Sequence, residues 1–233
     1  MNENDLLQWV ETVIDGLPDF LETMRDRDTP GRYKYSLTGD IASSSQWGLG
    51  NTVFAVKTYY MLNLISSINE LETAAFIKSF GKRDGEISDP IVQRRSRRIR
   101  YYAALHSGDW NNITGKRTRR AETRQAFAAL QALGSKPDEP YLRIPSSESQ
   151  IKRYIHSLDW DHPWGTASHF SHLIFFMTVN KTFDRRDNSE IDLIDLAFTE
   201  VNKYKQDDGT WHNNSTSKAL KVNGAMKMIL RTW

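Results

Sequence analysis

Apolar residues return every three or four positions along most of the chain. Leu6, Leu7, Val10, Val13, Ile14 and Leu17 do so near the start, and Ile191, Ile194, Ala197, Phe198 and Val201 do so near the end. That spacing gathers them on one face of an α-helix. Period-two alternation, the mark of a half-buried strand, is missing, and the single Asn-Gly pair, Asn223-Gly224, lies inside a helical pattern. The pattern predicts an all-α chain.

Two kinds of helix alternate along it. Asp5–Met24, Asn69–Phe80, Ser147–Leu158 and Glu190–Lys205 are charged on one face and apolar on the other. Trp47–Leu64, Arg119–Leu133, Gly165–Val179 and Lys218–Leu230 are richer in small residues or apolar nearly all round. Helices apolar over most of their surface lie inside, with two-faced ones wrapping them. Ala121, Ala126, Ala128, Ala129 and Ala132 mark one inner segment as strongly helical and suited to close packing.

The ends of the two-faced segments repeat. They read ETMRDRDTPGRY (22–33), SFGKRDGEI (79–87), SLDWDHPW (157–164) and KYKQDDGTW (203–211). Asp28, Asp84 and Asp208 each stand four residues after the apolar residue that closes the helix, and the third copy has Asp161 and His162 near that offset. An apolar residue follows the acid by three in three copies, as Ile87, Trp164 and Trp211. A repeat of this period predicts an array of about four helical hairpins.

Gln206, Gly209 and Trp211 resemble the Q-x-x-G-x-W core, a QW-like motif, of the repeat found in terpenoid cyclases and protein prenyltransferases, and SFGKRDGEI resembles a divergent copy. The resemblance implies an α/α toroid, in which inner helices line a central cavity and outer helices ring them. The expected fold is therefore all-α: a partial or short α/α toroid of alternating outer and inner helices, forming a single domain over residues 1–233. A full toroid usually has more hairpins, and Trp233 directly follows an apolar helix, so the chain is expected to be C-terminally incomplete. The family's catalytic motifs are not intact. The D-x-D-D acid and the D-D-x-x-D diphosphate site have no full match, and the zinc-binding cysteine of the prenyltransferases is missing.

The absence of cysteine excludes disulfides, thiolate nucleophiles and cysteine-based zinc sites. It fits a reducing compartment, and a cytoplasmic location is expected. The start carries no basic segment before an apolar run, and the most apolar stretch, His172–Val179, is too short to span a bilayer, so no membrane insertion is expected. Lys and Arg number 31 against 29 Asp and Glu, so the net charge of +2 says little about partners; its distribution says more. Arg94, Arg95, Arg97, Arg98 and Arg100 precede Tyr101-Tyr102, and Lys116, Arg117, Arg119, Arg120 and Arg124 follow. Such a stripe suits a phosphate, a diphosphate or an acidic glycan. Nucleic acid is the next reading, but no nucleic-acid motif accompanies the stripe, and a solvated face with salt bridges is the default.

Two other stretches carry candidate chemistry. SLDWDHPWGTASHFSH (157–172) holds Asp159, Asp161, His162, His169 and His172 with Trp160 and Trp164. By the cyclase resemblance Asp161 would donate a proton, Asp159 and His162 would orient it, and the tryptophan faces would stabilise a cation. The plainer reading makes Asp161 the cap of a helix starting near Pro163. His169 and His172 share a helix face and suit proton transfer; a metal would need a third ligand, which no spacing supplies, so no metal and no cofactor is expected. In WGLGNTVFAVKTYYMLN (47–63), Trp47, Asn51 and Lys57 suit a cavity wall, and Tyr60 suits acid/base work by resemblance to glycan enzymes of toroid type. Tyr35, Trp164, His212 and Asn223, with Arg98 and Arg120, complete the expected binding residues.

Three function classes follow. One is a toroid enzyme or enzyme-like protein that binds a polar or anionic small molecule or glycan. The second is an isoprenoid cyclase-like enzyme using Asp161. The third is a non-catalytic binding or scaffold protein. Oligomeric state is not legible in the sequence.

Overall fold

The computed structural model describes residues 2–38, 48–91, 101–102, 104–106, 115–183, 192–213 and 216–229. Trp47 and Arg98, both named above, lie outside the described residues. The main helices are α1 (Glu3–Thr23), α2 (Gly48–Met61), α3 (Glu70–Lys78), α4 (Lys116–Ala132), α5 (Glu148–His156), α6 (Pro163–Lys181), α7 (Leu193–Val201) and α8 (Lys218–Ile229). The described residues contain isolated bridges but no strand. No described helix is long and apolar enough to cross a membrane. Contacts divide the chain into two compact units, Met1–Glu139 and Pro140–Trp233.

The helices start where their side chains satisfy free N–H groups. Asn2 and Asp5 form a reciprocal box at α1. Asn69, Ser147 and Asp192 accept N–H groups of α3, α5 and α7. Each such cap is worth about 1 kcal/mol. At α6 Pro163 sits in the first turn, and His162 holds the cap position without a side-chain bond to the N–H groups of the helix. Asp161 is therefore not the cap of that helix.

The sequence repeat is a repeated turn. Arg25 and Tyr33, Gly81 and Ile87, and Lys205 and Trp211 form isolated antiparallel bridges. In each case the residue after the first bridge position donates its N–H to the residue before the second: Asp26 to Arg32 at 2.9 Å, Lys82 to Glu86 at 2.9 Å, Gln206 to Thr210 at 2.7 Å. Gly31, Gly85 and Gly209 supply the left-handed residue, at φ 76, 74 and 78°. Asp84 and Asp208 accept the N–H two residues on, as a turn aspartate does. In the longer first turn Asp26, not Asp28, takes that role. The Gln206 amide donates to the carbonyls of both Tyr204 and His212, at 3.2 and 2.7 Å, tying the two arms together. The third copy has no glycine and no bridge; it runs directly into α6.

Asp208 makes a pH prediction available. Thr210, through its hydroxyl and its N–H, and Lys221 hold the Asp208 carboxyl at about 2, below its ordinary 3.8. A carboxyl depressed by folding stabilises the native state above its unfolded value and loses that contribution as pH falls through the folded one. Wild type and Asp208→Asn are thus expected to differ in unfolding midpoint near neutrality. The difference should shrink as pH falls from about 4 to about 2. A separation that stays constant over that range would remove the assigned role.

Within the first unit α2 and α4 run side by side in the same direction. The buried Asp89 carboxylate accepts the N–H of Leu49 at 3.3 Å, while its own N–H goes to Glu122 at 3.1 Å. Farther along, Lys57 reaches Gln125. Each helix also clasps the turn that precedes it. Thr52 accepts the N–H of Tyr33 at 3.0 Å, and Thr123 accepts that of Ile87 at 3.2 Å. Two buried carboxylates close these turns: Asp26 pairs with Arg32, and Glu86 pairs with both Lys82 and Arg119. Leu49, Val56, Ile77, Phe127 and Leu130 form the core beneath. The pattern predicts a buried face for α1, but residues 2–16 are exposed and Leu21 alone in α1 is buried.

The second unit has two layers. Ile151 and Ile155 of α5 share a core with Ala197 and Val201 of α7, and Phe170 and Leu173 of α6 and Met228 of α8 complete it. Burying each large apolar side chain contributes about 1.5–3 kcal/mol. Gly224 lets α8 approach the start of α6, since a Cβ there would lie 2.8 Å from the Pro163 ring. Within this unit the two-faced helices α5 and α7 pack together, as do α6 and α8; in the first unit the expected alternation does not hold, since α4 carries a charged face and α3 is only weakly two-faced.

Candidate functional site

The second unit carries a hydrogen-bonded chain that the sequence reading missed. His156, at the end of α5, points one ring nitrogen at the Tyr204 hydroxyl, 2.7 Å away, and the other at the Glu200 carboxylate, 3.2 Å away. Glu200 is 3% exposed and also takes Lys203 at 2.6 Å; the Lys203 bond holds its carboxyl below the ordinary range. Tyr204 stacks on Trp160 with centroids 4.1 Å apart and planes 11° apart. The hydrogen-bonded chain binds α5 to the end of α7. Glu200 and Tyr204 are four apart, which puts them on one helical face, but nothing in the sequence pairs that face with His156.

The acids of SLDWDHPW do not meet the need of a proton donor. Asp159 and His162 pair at 2.8 Å, with side chains 65% and 75% exposed, and Asp161 is exposed too. An acid that protonates an alkene needs a dry, apolar setting to stay protonated, and none surrounds Asp161. The two tryptophans separate. Trp160 is buried and donates to the Ile155 carbonyl at 3.1 Å. Trp164 is 43% exposed, with the Lys227 ammonium 3.4 Å from its ring centroid; burial lowers the pKa of that lysine.

His169 and His172 lie on the part-exposed stripe of α6, which also carries Gly165, Ser168 and Phe175. His212 is buried at the end of the fourth turn, and Asn223 is exposed on α8. A cavity of about 350 Å³ opens between residues 141–146, the end of α6 and the start of α7. Ile144, Met177, Leu193 and Ile194 line it, with the Lys181–Asp192 pair, at 2.6 Å, among its polar groups. None of the candidate site residues named from the sequence borders it.

In the first unit the open strip of α2 carries Asn51, Phe54, Lys57, Thr58 and Met61. Lys57 joins it to the open strip of α4, where Ala121, Ala128 and Ala132 alternate with Arg117, Arg124 and Gln125. The alanines therefore divide: Ala126 and Ala129 are fully buried, and the other three floor the open wall. The Asn51 amide nitrogen is buried without a hydrogen-bond partner among the described residues. Arg120 is half-buried beside this wall, while Tyr60 and Tyr35 are 61% and 51% exposed. Among the described residues no cluster of His, Asp or Glu is arranged to hold a metal ion. Compared with protein families, curated proteins and solved structures, the chain returns no match.

Proposed function

We propose that this chain is a non-catalytic binding protein of α/α-toroid type, which holds a polar or anionic ligand against the α2–α4 wall. The observation that carries the reading is the buried Asn51 amide nitrogen, which has no hydrogen-bond partner among the described residues and lies on a strip that also bears Lys57. Buried donors without partners are rare, and a ligand oxygen would satisfy this one. Arg117 and Arg124 give the wall a positive flank, and the alanine floor leaves room for a ring or chain. Parallel neighbouring helices and repeated turns support an array of hairpins of the toroid kind. The exposure of Asp159, Asp161 and His162 weighs against the cyclase reading.

Calorimetric titration with inorganic diphosphate and with a sulfated glycan tests the proposal. At least one is expected to bind. Lys57→Met with Asn51→Leu is expected to weaken that binding roughly 10- to 100-fold, the loss of charged and polar hydrogen bonds worth about 1.5–3 kcal/mol. Asp161→Asn is expected to leave it unchanged. Failure of both probes to bind, or equal binding by the double variant, would overturn the reading.

A further inference from the structure

Residues 2–16 of α1 are exposed on every side, although an isolated helix of this length is marginal in water. Leu6, Val10, Val13, Leu17 and Phe20 are spaced alternately by four and three residues, the spacing of a helix–helix seam. Leu7 and Ile14 widen the seam on one side, and Trp9 widens it on the other. Leu6, Leu7, Trp9, Val10, Val13, Ile14 and Phe20 are each between 36% and 59% exposed.

The occupant of this seam is argued from charge, area and attachment. α1 has no Lys or Arg, and of its acids only Glu3, in the first turn, lies on the seam side. Asp5, Glu11, Asp15, Asp19 and Glu22 lie behind. Coiled-coil helices choose foreign partners through charges flanking the seam; here the flanks are uncharged, so two copies of α1 meet without opposed like charges. The exposed apolar side chains offer roughly 700 Å² per chain, so a symmetric pair would bury about 1,400 Å², within the range of stable dimers. The rest of the unit grips α1 only near its C-terminal end, at Leu21 and Met24. A parallel pair would crowd two bodies at one end, whereas an antiparallel pair sets them at opposite ends and opposes the helix dipoles.

We propose that α1 is a dimerisation helix, which pairs antiparallel with α1 of a second copy and sets Val10 of one against Val13 of the other. The proposal is independent of the ligand reading. Sedimentation equilibrium of the full chain at micromolar concentration is expected to give a dimer. Val10→Asp with Val13→Asp is expected to give a monomer with the same unfolding of the second unit and a loss of helix content no larger than α1 itself. Asp15→Lys, on the back face, is expected to remain dimeric. Spin labels on Glu3→Cys in an antiparallel pair lie about 25 Å apart along the axis; a parallel pair would bring them to about 10 Å. A monomeric wild type, a dimer that survives both aspartates, or the short label distance would overturn the proposal.

Discussion

Gly31→Ala is expected to destabilise the first unit by about 3 kcal/mol or more. Two costs combine. Gly31 has a left-handed backbone, φ 76°, which costs an L-residue roughly 1–2 kcal/mol. A Cβ there would also lie 2.2 Å from the Glu72 carbonyl oxygen and 2.7 Å from the Thr73 Cα. Both atoms are backbone of α3, which cannot rotate away as a side chain would, and such overpacking costs about 1–3 kcal/mol. Gly209→Ala is the control: its φ is 78°, and nothing lies within 4 Å of the added carbon. It should cost only the first term. Urea unfolding of the two variants measures the difference. Equal losses would mean that the first turn does not pack on α3 as described.

Trp160→Ala is expected to cost the second unit about 3–5 kcal/mol, the usual loss for a buried aromatic ring. The indole is 2% exposed, stacks on Tyr204 and bonds the Ile155 carbonyl, so its removal leaves a cavity between α5 and the fourth turn. It also frees Tyr204, and with it the His156–Glu200 chain. Trp164→Ala, four residues away, is expected to cost far less. That ring is half in water, and its contact with Lys227 is worth roughly 0.5–1 kcal/mol at an exposed site. Thermal unfolding followed by near-ultraviolet circular dichroism compares them. Comparable losses would contradict the placement of the two rings.

The contrast between these tryptophans shows where sequence reasoning stops. The repeat singles out Trp164, the counterpart of Ile87 and Trp211, and gives Trp160 no place. Without a glycine the third turn cannot form the bridge of the other three, and Trp160 rather than Trp164 turns inward. The same limit applies to His156, which no motif marks, because its partners Glu200 and Tyr204 lie more than forty residues away. Asn51 was legible as a polar group on an apolar helix; that its amide nitrogen is buried without a partner among the described residues depends on which neighbours α2 meets.

By itself the sequence determined that the chain is helical and where turns end its helices. Those features are local: side chains three and four apart share a face, an aspartate bonds the N–H two residues on, and glycine alone enters the left-handed region without cost. The tertiary structure decided the rest. It put Asp161 in water, Glu200 in the interior and Lys57 against Gln125, and it left the apolar face of α1 uncovered. Burial and hydrogen-bond partnership depend on residues distant in the chain, so no local pattern carries them.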